Sequence, residues 1–144
     1  MRRYSIFSLA ITLCVISFLV VTSCSKGGGS PTPPTPAEVD LVVATTPTVN
    51  SNQAPASLGT GLPVTVSITS AMPSGGVKID VTAKLETSST NFFTGGTAST
   101  TSASNNYSIT NTPTGGNACV CTITVTSLSK SSNTWSGTFR YASK

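Results

Sequence analysis

Few residues in this chain could do chemistry, and those few are oddly placed. There are four cysteines (Cys14, Cys24, Cys119 and Cys121), four carboxylates (Glu38, Asp40, Asp80 and Glu86) and no histidine. Without histidine the chain lacks the commonest general base and the commonest metal ligand. No serine has a histidine to activate it, so an acyl-transfer triad is absent. Asp80 and Glu86 share a parity on one strand-like run but stand roughly 20 Å apart, too far for a glycosidase pair. With Lys78 and Lys84 beside them they read as a solvated charge ladder. Glu38 and Asp40 have no Asp/Asn-rich loop around them that would complete a calcium site. The sequence therefore supplies no catalytic residue, no metal site and no cofactor site.

Cys119-Val120-Cys121 has four readings. A disulfide between the two is geometrically poor, because two steps of extended strand separate the Cα atoms by about 6.6 Å with parallel Cβ vectors. Only a bulge would permit it. Metal binding needs further ligands. A bridge to another chain is open to an exported thiol. The expected state is a pair of free thiols packed on the core face as small hydrophobes. Among the aromatics, Phe92, Phe93 and Trp135 form the possible binding surface. Strand geometry sends one of the adjacent Phe92 and Phe93 outward.

Cys24 sits differently. Arg2 and Arg3 precede an apolar run from Ile6 to Val21, and Val21-Thr22-Ser23-Cys24 closes it. A basic stretch followed by an apolar one reads as a secretory signal. The last four residues resemble the lipobox of bacterial lipoproteins: an aliphatic residue, two small ones, then cysteine. The resemblance covers about the first 25 residues. It implies that the Cys24 thiol receives a diacylglycerol, that cleavage falls before Cys24, and that the chain is held to a membrane by its lipid. Ser25 stands where an aspartate often marks inner-membrane retention in Gram-negative lipoproteins, so the implied location is the bacterial cell envelope at the outer membrane. One acyl chain holds only reversibly, whereas two or three hold effectively permanently.

Lys26-Gly27-Gly28-Gly29-Ser30 is flexible coil, and Pro31, Pro33, Pro34 and Pro36 favour an extended spacer. The organisation predicted is a signal peptide over 1–23, a tether over 24–37 and one folded domain over 38–144. Charged residues are 8% of the chain, against roughly 25% in an average soluble protein, and no basic cluster marks a nucleic-acid partner.

From Glu38 onward the period is two. Val64, Val66 and Ile68 alternate with Thr65, Ser67 and Thr69. Val77, Ile79, Val81, Ala83 and Leu85 share a face, as do Cys119, Cys121, Ile123 and Val125, and Trp135, Gly137, Phe139 and Tyr141. Val39, Leu41 and Val43 suggest a first strand, with weaker strands around Phe92-Phe93 and Tyr107-Ser108-Ile109. Turn signals fall at 59–61, 73–76, Gly95-Gly96, 113–117 and 131–133. About seven short antiparallel strands make an all-β sandwich. The pattern resembles bacterial immunoglobulin-like domains over 38–144, behind a signal-peptide helix and a disordered linker. It lacks the inter-sheet cysteine pair and the tyrosine corner of antibody domains. The function expected is a non-catalytic, lipid-anchored envelope protein whose module serves binding, adhesion or an accessory role. Its ligand would be an unidentified protein or glycan. The alternative is a carbohydrate-binding module of a glycan-handling system.

Overall fold

The computed structural model describes residues 37–50, 56–57 and 61–143. Contacts divide the chain into Met1–Pro36 and Ala37–Lys144, and every described residue lies in the second unit. The signal segment 1–23, Cys24 and all of the tether except Ala37 fall outside the described residues.

The described residues form strands and connections, without helix. The strands are β1 (Val43–Thr46), β2 (Ala56–Ser57), β3 (Leu62–Ile68), β4 (Val77–Leu85), β5 (Asn91–Thr100), β6 (Ser104–Ile109), β7 (Ala118–Ser127) and β8 (Thr134–Ser143). One sheet has the order β1-β3-β6 and the other β2-β8-β7-β4-β5. All pairings are antiparallel except that of two-residue β2 with β8. The first part of the domain serves both sheets. β1 pairs with β3; past Pro47, the Asn50 N–H donates to the Thr138 carbonyl on β8 at 2.8 Å, and β2 then joins β8.

Alternation makes the core. Valines and isoleucines at every second position of β3, β4 and β7 are buried, with Ser, Thr and Lys between them. In register, Ala83, Cys121 and Phe139 form one inner row, and Leu85, Cys119 and Tyr141 the next. The small Ala83 and Cys121 stand in register between the large Phe93 and Phe139, an arrangement that suits close packing. The Phe139 and Tyr141 rings lie 6.1 Å apart at a tilt of 46°, within the range of favourable aromatic pairs. Each fully buried aliphatic or aromatic side chain contributes about 1.5–3 kcal/mol.

Three expectations need correction. The first strand begins at Val43, not Val39. Leu41 is buried, but Val39 is 59% exposed, because its carbonyl accepts a side-chain hydrogen bond from Asn133 instead of joining a ladder. Gly95-Gly96 is not a turn but the middle of ten-residue β5. Gly96 has φ +149°, and a Cβ there would collide with the Ile79 carbonyl oxygen. The glycine lets two backbones approach closely, one of the uses of glycine inside a strand. Phe92 and Phe93 do not point to opposite sides. Ala83 pairs with Phe93 and Lys84 with Asn91, so Phe92 is the extra residue of a bulge. Both rings pack against the core while staying half-buried. A second register shift lies between Val77 and Ile79. Both fall where β5 forms the edge of its sheet, and bulges there discourage pairing with other chains.

Candidate functional site

The thiols lie at the centre of the larger sheet. Cys119 and Cys121 are both free and fully buried. β7 presents them with Ile123 and Val125, as the alternation predicts, between β4 and β8. The Cys119 Sγ donates to the Asn117 carbonyl at 3.5 Å and pairs in register with Tyr141 on β8. The Tyr141 hydroxyl lies 3.4 Å from the Thr112 hydroxyl. Burial raises the pKa of Cys119, with the Tyr141 side chain opposing it. Burial pushes Cys121 up to about 12, and Tyr141 up to about 12 against the hydrogen bond from Thr112. These are protonated, sequestered groups. A nucleophilic cysteine needs the reverse: an exposed thiol with a lowered pKa.

Two outcomes follow from this cluster. In the native protein a thiol-reactive dye should leave both cysteines unmodified, and both should label once the chain is unfolded without reductant. Labelling that requires reductant would mean a disulfide. The sign of the pH effect is also fixed. A raised folded pKa means that the folded state holds protons the unfolded state has lost. For Cys121, stability is therefore full below the ordinary value of 9.0 and falls as pH climbs from there towards about 12. Replacing Cys121 by Ala should flatten that part of an alkaline stability curve.

Asp80, Glu86 and Glu38 are engaged separately. Asp80 pairs with Lys78 at 2.9 Å on the same strand. Glu86 turns to Arg140 of β8, with Nε 2.7 Å from Oε1, and not to Lys84. Half-exposed pairs of this kind contribute little to stability. Glu38 accepts from the Asn133 amide at 2.6 Å. Among the described residues no three His, Cys, Asp or Glu side chains cluster as metal ligands would.

The aromatic candidates do not converge. Phe93 lies over Gly95, whose added Cβ would sit 2.8 Å from the ring. Trp135, on β8, folds across Gly137 beside Val49; a Cβ at Gly137 would stand 2.6 Å from the indole and 2.9 Å from Val49. All three rings are half-buried against the core. Tyr107, not singled out by sequence, joins the two sheets at their β5 and β6 edges by a 2.9 Å hydrogen bond to Thr97. Aromatic parity alone could not have revealed that bond, because its partner lies on the other sheet.

The outer face of the larger sheet is the broadest regular surface. Thr94, Thr82, Thr122 and Thr138 stand in register across β5, β4, β7 and β8. The row beside it is Gly96, Asp80, Thr124 and Ser136, and the row on the other side is Asn91, Lys84, Val120 and Arg140. The sequence shows the threonines; only the register shows that four of them align. No protein-family model matches the chain, and no curated protein and no solved structure matches it significantly.

Proposed function

We propose that this is a lipid-anchored protein of the bacterial cell envelope, sited at the outer membrane, whose folded part is a non-catalytic immunoglobulin-like module for binding, adhesion or an accessory role. The observation that carries the anchor is Val21-Thr22-Ser23-Cys24 at the end of an apolar run, followed by a Gly- and Pro-rich stretch. Two features support the immunoglobulin-like reading. The chain passes between sheets at β3–β4, β5–β6 and β6–β7, unlike a meander, and its first segment serves both sheets. A binding role is favoured over catalysis by thiols held protonated in the core and by carboxylates engaged one at a time.

A protein partner is favoured over a glycan. The exposed large hydrophobics among the described residues are Val39, Val42 and Leu128, none of them aromatic. The broad sheet face carries threonine where a sugar platform would carry rings. Lysine-directed crosslinking in intact cells, acting through Lys78, Lys84 and Lys130, should give a discrete protein adduct identifiable by mass spectrometry. Absence of any adduct, together with saturable binding to a soluble polysaccharide, would move the assignment to the carbohydrate-binding alternative.

A further inference from the structure

We propose that Asn133 is a releasable clasp that holds the first described segment, residues 38–42, against the β7–β8 turn. Asn133 lies in the β7–β8 turn and is 6% exposed, one of two buried polar residues among those described. Its side chain is directed to the segment 38–42, more than 90 residues away in sequence. Nδ2 donates to Glu38 Oε1 at 2.6 Å and to the Val39 carbonyl at 2.9 Å, and Oδ1 accepts from the Leu41 N–H at 2.9 Å. The acceptors and the donor fix the orientation of the amide.

The turn does not need the segment. Its backbone is closed by the Ser127 N–H to the Asn133 carbonyl at 3.0 Å and the Asn133 N–H to the Lys130 carbonyl at 2.8 Å. The Ser127 hydroxyl holds the N–H groups of Ser129 and Lys130, at 3.1 Å each. The segment, in contrast, has few other attachments. Leu41 is buried, Val39 and Val42 are more than half exposed, and the Val42 carbonyl accepts from the Thr69 N–H and hydroxyl and from the Ser70 N–H. Residues 38–41 are thus held by one amide and one buried side chain, and Val42 by a separate set of bonds. Lifting this strap breaks the amide's three bonds and those of the Val42 carbonyl and frees residues 37–42, about 20 Å of extended chain, while the sandwich from β1 onward stays paired.

Amide hydrogen exchange on the full chain tests this. The reporters are the N–H groups of Thr69 and Ser70, which donate to the Val42 carbonyl and lose it only when the strap lifts; the Leu41 N–H, whose acceptor is Asn133 itself, reports only in the Glu38 variant. In Asn133→Ala the Thr69 and Ser70 N–H groups should exchange about tenfold faster or more, with β4 and β7 at wild-type rates. Glu38→Ala is measured beside it in case Asn133→Ala does not fold. It removes a single bond of the clasp and should accelerate all three N–H groups about threefold, again without change in the sheets. Acceleration confined to the reporters in either variant supports the clasp. Unchanged reporters in the variants that fold, or acceleration spread equally through β7, would overturn it.

Discussion

Cys121→Asp is expected to unfold the domain, and Val120→Asp, one residue away, to leave it folded. Cys121 is fully buried, between Ala83 on β4 and Phe139 on β8. A carboxylate there has no cation and no donor within the row. The cost of such a charge, even after it takes up a proton, is at least about 3–5 kcal/mol, a large fraction of a small domain's stability. Val120 has the opposite parity. In register it stands between Lys84 of β4 and Arg140 of β8, on the outer face. An aspartate placed there gains two cationic neighbours, so its effect should stay within about 1 kcal/mol. Urea denaturation followed by tryptophan fluorescence at Trp135 reads both. Equal damage from the two substitutions would mean that the outer face of this sheet is covered as well.

The second large effect is expected from the smallest change. Gly96→Ala adds one methyl where φ is +149° and the Ile79 carbonyl and Asp80 Cα leave no room. The obstruction is backbone of the neighbouring central strand, which cannot swing aside as a side chain can. The expected loss is about 2–4 kcal/mol, seen as a shift of the urea midpoint. Gly116→Ala separates strain from collision. Gly116 also has a positive φ, +72°, but nothing lies within 4 Å of an added Cβ. Its loss should be about 1–2 kcal/mol, the ordinary penalty of a left-handed conformation. Equal losses at the two positions would show that the β4–β5 contact at Gly96 is looser than described.

The inner faces were legible because one physical rule decides them. A strand buried on one side must alternate, and β3, β4, β7 and β8 do so without exception at Val64–Ile68, Val77–Ala83, Cys119–Val125 and Phe139–Tyr141. What the sequence hid depended on partners distant along the chain. Gly95-Gly96 looks like a turn until Ile79 is known to lie against it. Phe92 and Phe93 look opposed until the bulge opposite Ala83 and Lys84 is seen. Val39 looks like a strand residue until Asn133, 94 residues on, takes its carbonyl. The candidate site was legible only as residue types. Alternation predicts that Cys119 and Cys121 face inward, but the pairing of Cys119 with Tyr141 and the aligned threonines need the register. Register cannot be read from one strand, because each strand's pattern is compatible with several pairings two residues apart.

Cys24 carries the proposed function, since a lipid anchor there would set where the module works. Metabolic labelling of cells with a clickable fatty acid tests it directly. The wild-type chain should incorporate the label and fractionate with the outer membrane, and Cys24→Ala should do neither. Equal labelling of wild type and Cys24→Ala, or none in either, would contradict the anchor and with it the proposed placement at the outer membrane.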